Sequence, residues 1–247
     1  MENSIWFTSD WHFGHDREFI WKPRGFSSIE EHDNTIIAKH NGLVSDDDDV
    51  YVLGDLMLGN NEYGLNCIKQ LKGKLHIIRG NHDTDSRLAL YSQLPQVVEI
   101  CDAKYLRHGK FHFFLCHYPT MTGNLEKESL TQMTCDLFGH THQKSKFYND
   151  IPYMYHVGID SHDGWPVLIN EVIADMRYKV VECKSFLDGS TEKPLSPDEA
   201  LRRYKIEECS RCVWSGYTCP GPVPLVKPKC PQGFTYKRDP PDGGYYG

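Results

Sequence analysis

An α/β fold is predicted by two features of the 247-residue chain. Short apolar runs read as buried strands, and stretches with a helical apolar period lie between the first of them. A third feature says where a site would lie. Five of the runs are followed within a few residues by Asp, Asn or His, which places ligand-type side chains at the carboxyl ends of strands, where α/β sheets gather their ligands.

The strands predicted in this way cover residues 5–8, 50–53, 75–78, 113–115 and 137–138. A helix over 29–43 opens with Ser28 and Glu31 in a capping-box arrangement and carries Ile29, Ile36, Ile37, His40 and Leu43 along one face. Leu65, Ile68 and Leu71 mark a second helix that stops near Gly73. The runs 97–100, 153–157, 167–173 and 178–181 have no such helices between them. They predict a second, more antiparallel sheet.

Length and a 39% hydrophobic composition allow one substantial core with a small appendage and exclude a fibrous or disordered chain. Met1 runs directly into the first strand with no basic stretch followed by an apolar one. No apolar run approaches the roughly 20 residues of a spanning helix. A soluble, cytoplasmic protein without a membrane partner is expected. The nine cysteines are an odd number, spread between apolar runs (Cys67, Cys101, Cys116, Cys135) and a carboxy-terminal cluster. They predict reduced thiols rather than a disulfide framework. With a net charge of -7 the surface as a whole does not attract nucleic acid, so an anionic substrate must be drawn by local charge.

The strand ends read Ser9-Asp10-Trp11-His12, Gly54-Asp55, Gly80-Asn81-His82-Asp83, Cys116-His117 and Gly139-His140-Thr141-His142. Asp10, His12, Asp55, Asn81, His117, His140 and His142 are therefore candidate metal ligands, enough for two ions. Imidazole mixed with carboxylate suits Zn, Fe, Mn or Ni rather than Mg or Ca. A carboxylate can bridge two ions about 3.5 to 4 Å apart, and Asp55, standing alone after its strand, is the bridging candidate. Two divalent ions outweigh two carboxylates and a bridging hydroxide, so the site stays positive and attracts a phosphate ester even in an acidic protein. Such ions lower the pKa of bound water to about 7 and so supply a hydroxide nucleophile. His82, with an ordinary pKa near 6.5, is the candidate general acid for the departing alkoxide. Asp83 beside it is a candidate to orient the imidazolium.

In this order the five blocks resemble the calcineurin-like metallophosphoesterase superfamily, whose pattern is Asp-x-His, Gly-Asp, Gly-Asn-His-Asp/Glu, His and Gly-His-x-His. The resemblance covers roughly residues 1–182. The opening Thr8-Ser9-Asp10-Trp11-His12-Phe13-Gly14-His15 is similar to a compact bacterial and phage branch. The resemblance implies a four-layer αββα sandwich of two mixed sheets flanked by helices. It also implies one metal on Asp10, His12, Asp55 and His142, a second on Asp55, Asn81, His117 and His140, and His82 as the acid. Asn81 doubles as a candidate substrate contact. His15 lies outside the superfamily-wide pattern and is either a phosphate contact or a packing residue, while His32, His40, His76, His108, His112, His156 and His162 match nothing and are expected at the surface or in packing.

The expected activity is hydrolysis of a phosphate ester, with a diester of nucleotide type preferred. The alternatives are a phosphomonoesterase and a metal-binding scaffold without chemistry. Residues 118–134, polar and without apolar period, are the candidate wall on the substrate side. Domain organisation is expected to be 1–183 for the catalytic domain and 184–247 for an irregular extension rich in Pro and Gly. Cys209 and Cys212 have the spacing of a zinc knuckle, and Cys219 with Cys230 would complete a structural zinc site. The second pair is far too widely spaced for a zinc ribbon, so the alternative is a tail docked through Trp214, Tyr217 and Phe234, or a mobile one. The tail's Lys227, Lys229, Lys237 and Arg238 allow a nucleic-acid contact as well as plain solvation.

Overall fold

A computed structural model describes residues 3–122 and 129–187. They form, in chain order, β1 (Ile5–Thr8), α1 (Glu18–Trp21), α2 (Ile29–Leu43), β2 (Asp49–Val52), α3 (Asn61–Ile68), β3 (Lys74–Ile78), α4 (Asp85–Tyr91), β4 (Val97–Cys101), β5 (Ala103–His108), β6 (Phe111–Cys116), β7 (Thr134–Phe138), β8 (Met154–His156), β9 (Val167–Leu168) and α5 (Ile169–Leu187). Residues Asn3–Val167 make one compact unit, and the described residues from Leu168 to Leu187 belong to another. The fold is α/β with two sheets and helices, as the sequence predicts.

One sheet has the order β4-β3-β2-β1-β9 and the other β5-β6-β7-β8. In the first, β1 to β4 run parallel, with Ile5 opposite Asp49 and Val50 opposite Leu75. Parallel strands covered on both faces need near-continuous apolar runs. Trp6, Phe7, Val50, Val52, Leu75, Ile77 and Ile78 are accordingly all buried. In the second sheet β5 and β6 form an antiparallel hairpin that pairs Arg107 with His112 and turns through Gly109 at φ 57°. The alternation of β6 buries Phe111, Phe113 and Leu115.

Between β1 and β2, α2 buries Ile36, Ile37 and Leu43, and its Ser28 side chain accepts from the Glu31 amide. The Glu31 carboxylate does not return to the Ser28 amide as a reciprocal capping box would; it accepts from the Ser27 amide and hydroxyl at 2.8 and 2.7 Å. The next helix, α3, ends at Ile68, earlier than the Gly73 stop. Gly73, at φ 91°, instead turns the chain into β3 where a Cβ would meet the Val44 and Val50 side chains at 2.8 Å.

Three of the four late runs do not sit where the sequence suggests. The run 97–100 is β4 and joins the first, parallel sheet. The stretch 167–173 yields only the two residues of β9 before α5 begins, and 178–181 lies inside α5. Leu168, Ile169, Val172, Ile173 and Met176 are buried at helical spacing, and a short apolar run does not distinguish that spacing from a buried strand. The second sheet is mixed rather than mainly antiparallel, since β6, β7 and β8 pair in parallel.

On β7 the Asp136 side chain is fully buried. One oxygen accepts from the Thr120 amide at 2.8 Å and the other has no partner among the described residues. Burial pushes its carboxyl up to about 7. Among the described residues, Cys67, Cys101, Cys116, Cys135 and Cys183 form no disulfide. No helix among the described residues is long and apolar enough to cross a membrane. Apart from the end of α5, the 184–247 extension lies outside the described residues, and with it Cys209, Cys212, Cys219 and Cys230.

Candidate metal centre

Each sequence-predicted ligand lies in a turn just past a strand: Asp10 and His12 after β1, Asp55 after β2, Asn81 after β3, His117 after β6, and His140 and His142 after β7. The pairing of β1 with β2 continues beyond the strands through Asp10 N to Gly54 O and His12 N to Asp55 O, both 3.0 Å. The Gly139 amide ties the β7 turn to the His117 carbonyl at 3.0 Å. Five of these residues have left-handed backbones: Asp10 (φ 60°), His12 (51°), Asp55 (57°), His140 (65°) and His142 (49°). Non-glycine residues rarely adopt that region, and residues held there cluster at functional sites. Glycine permits the close approach of these turns. A Cβ on Gly54, itself at φ 87°, would lie 2.6 Å from both the Gly80 Cα and the His117 ring.

The side chains meet in one continuous cluster. His12 Nε2 lies 3.1 Å from His142 Nε2 and 3.6 Å from Asp55 Oδ2. His117 Nε2 also lies 3.6 Å from Asp55 Oδ2, and His142 Nε2 is 4.0 Å from Asp10 Oδ1. Asn81 Oδ1 sits 2.9 Å from both His117 Nε2 and His140 Nδ1. Two groups have metal-ligand spacing, Asp10 with His12 and His142, and Asp10 with Asp55 and His117, the atoms of each group all within 4.8 Å of one another.

Without a cation this arrangement is electrostatically poor. Burial raises the Asp10 carboxyl above its usual range, and burial followed by the neighbouring His142 drives His12 well below its own. Two imidazole Nε2 atoms 3.1 Å apart can share only one proton between them or turn both lone pairs to a common positive charge. The donor set therefore fits divalent ions of the imidazole-preferring kind.

Two candidate ligands have their tautomer set from behind. His117 Nδ1 donates to the Leu53 carbonyl at 2.8 Å, and His142 Nδ1 donates to Asp160 Oδ2 at 2.9 Å; both leave Nε2 facing the cluster. Asp160, just past β8, is held in turn by Arg24, whose Nε and Nη2 reach its two oxygens at 3.0 and 2.8 Å. Burial would raise the Asp160 carboxyl, but the bond to His142 and the Arg24 charge hold it well below the usual range. For His142 burial opposes protonation, yet Asp160 and Asp10 together raise its pKa. Arg24 also donates to the Asp10 carbonyl at 3.0 Å and to His32 Nε2 at 2.9 Å. His32 Nδ1 then donates to Asp33 Oδ1 at 2.7 Å, and Asp33 Oδ2 accepts from the Gly14 amide. Of the unmatched histidines, His32 thus supports the centre from inside the protein.

Sequence reasoning missed both Arg24 and Asp160. For Asp160 a weaker signal existed, since it is a carboxylate three residues past the predicted strand 153–157, although Ile159 separates it from Gly158 where Asp55 directly follows Gly54. Asp83 needs correction. Its oxygens do not face His82; they accept from the Gly80, Asp55 and Leu56 amides and the Tyr91 hydroxyl, so the side chain fixes the turns instead. His82 stands at the open side, its side chain 43% exposed, with Nε2 4.0 Å from Asp55 Oδ2. His15 packs 5.8 Å from the His12 ring and edge-on to Phe19 at 5.6 Å.

The two sheets gather Asp, Asn and His at their strand ends, in groups that could hold a metal ion. The chain belongs to the calcineurin-like phosphoesterase superfamily, whose domain matches residues 5–158. An uncharacterized protein of Methanocaldococcus jannaschii is 41% identical over 117 residues, which cover 47% of this chain and 58% of that relative. The gene 66 protein of Mycobacterium phage L5 is 27% identical over 64% of this chain and 87% of its own length. In three dimensions a protein of unknown function from Aquifex aeolicus shares the fold, with a TM-score of 0.53 and 22% identity over 70% of this chain and 98% of that one.

Proposed function

We propose that the cluster is a two-metal centre that hydrolyses a phosphodiester of nucleotide type, with His82 as the proton donor. The observation that carries this reading is the convergence of two buried carboxylates, Asp10 and Asp55, with His12, His117 and His142 within 3.6 to 4.0 Å. Asp10, His12, Asp55 and His142 would hold one ion, and Asp55, Asn81, His117 and His140 the other. Bound there, two divalent ions lower the pKa of water to about 7 and stabilise charge on the phosphoryl oxygens. Asn81, exposed at the mouth, orients the ester. Arg87, whose Nη1 donates to the His82 carbonyl at 2.6 Å, brings a positive charge that favours an anionic group beside His82.

His82 holds its proton at Nε2 for the departing alkoxide. Its main chain is pinned on both sides, by its amide to Asp55 Oδ1 at 2.9 Å and by Arg87 Nη1 to its carbonyl at 2.6 Å. The imidazole therefore turns on a fixed base.

The test loads the full chain with Mn, Ni, Zn or Fe in turn and assays p-nitrophenyl phosphate and bis-p-nitrophenyl phosphate. Wild type is expected to prefer the diester. His82→Ala is expected to lower kcat by about 10²- to 10⁴-fold with metal content unchanged, and Asp55→Asn to lose bound metal. Preference for the monoester would make the protein a phosphatase, and a chain that binds both metals yet cleaves neither ester would overturn the reading.

A further inference from the structure

Few large apolar side chains stand exposed among the described residues, and two of the aromatic ones border the cluster. Phe19, 69% exposed, extends the His12 side through its edge-on contact with His15. Tyr118, 46% exposed, extends the other side. Its ring centroid lies 4.8 Å from His140 and 5.1 Å from His117, both in edge-to-face geometry. Three residues further on, Met121 is 82% exposed.

Scattered exposed apolar residues are ordinary in a soluble protein. These are not scattered. Phe19 packs edge-on to His15, whose ring lies 5.8 Å from that of His12, and Tyr118 packs on His117 and His140, so both rings lie beside the cluster. Apolar walls around a few convergent polar groups are the usual make-up of a small-molecule site. Flat rings flanking a phosphate position are also what single-stranded nucleic-acid binders use, since every base offers a π-face and stacking is indifferent to sequence. Arg87, held at the His82 carbonyl at 2.6 Å, supplies a cation that suits the phosphate joining such bases.

From this placement we infer that Phe19 and Tyr118 are specificity residues: each stacks a nucleobase of the substrate, so that the centre selects a nucleoside phosphodiester over an equally reactive ester without a base. The inference rests on the phosphodiester reading above and adds to it the part of the substrate that does not react.

Two esters with the same leaving group separate the base from the chemistry: thymidine 5′-(p-nitrophenyl phosphate) and methyl p-nitrophenyl phosphate. With the metal-loaded full chain, kcat/KM is expected to favour the thymidine ester by about tenfold or more. Phe19→Ala and Tyr118→Ala are each expected to erode that ratio, chiefly through KM, and Tyr118→Trp to restore it. Val98→Ala, on an exposed position of β4, is the control and should leave the ratio as it is. Equilibrium binding is read alongside turnover, by calorimetric titration with thymidine 5′-phosphate and with methyl phosphate. Tighter binding of the nucleotide that both alanine variants diminish supports the inference even if neither ester is cleaved, in which case the hydrolase reading alone fails. Equal binding and equal kcat/KM in wild type, or alanine variants that reduce both ligands alike, would overturn it.

Discussion

Asp160 shows how much of a metal centre lies outside its ligands. It orients His142 through Nδ1 and is itself clamped by Arg24, with both side chains of that ion pair almost fully buried. Outer partners of ligating histidines typically contribute 10- to 100-fold in metal affinity. Asp160→Asn is therefore expected to weaken metal binding by about that factor, measured by calorimetric titration, and to lower thermal stability because the buried Arg24 loses its counter-charge. At this scale the candidate ligands were legible in the sequence, because Asp, Asn or His recurs after five apolar runs in succession, and the structure brings those side chains into one cluster. Arg24 was not legible, for its partner is 136 positions away and nothing local distinguishes it. Asp83 misled for the opposite reason. It neighbours His82 in sequence, but the turn sends its side chain to the Gly80, Asp55 and Leu56 amides.

Among elements, the junctions between strand and turn matter more than the strands. Gly54 lets the β2 turn pass against Gly80 and His117 in a left-handed conformation. In Gly54→Ala the Cβ meets backbone at 2.6 Å and also carries the roughly 1 to 2 kcal/mol cost of an L-residue in that region. A melting temperature lower by about 5 °C or more is expected from a thermal scan, together with reduced metal content. The sequence revealed elements in proportion to their length. The 15-residue α2 displays a clear apolar face, whereas α1 and α4, of 4 and 7 residues, are too short to show a period. The error over 167–173 and 178–181 arose because each apolar run, taken alone, is too short to tell a helix period from a buried strand.

In the whole molecule, two sheets deliver their strand ends to one place, and Asp136 anchors part of that convergence by holding Thr120 in the segment after His117. Its carboxyl, pushed up to about 7 by burial, is raised above its unfolded value. Its stabilising contribution is therefore complete below about pH 4 and is lost as the pH rises towards 7. Urea denaturation of metal-free protein across that interval should show wild type losing stability relative to Asp136→Asn by up to about 1.4 kcal/mol per pH unit. A difference that does not change with pH would mean that Asp136 is already ionised throughout. The left-handed backbones of Asp10, His12, Asp55, His140 and His142 have one more consequence, which concerns transplantation. The same side chains copied onto ordinary extended or helical positions of another scaffold would point in other directions. To move this centre elsewhere, one would have to graft its turns, with Gly54, Gly80 and Gly139 among them, and the ligands would follow.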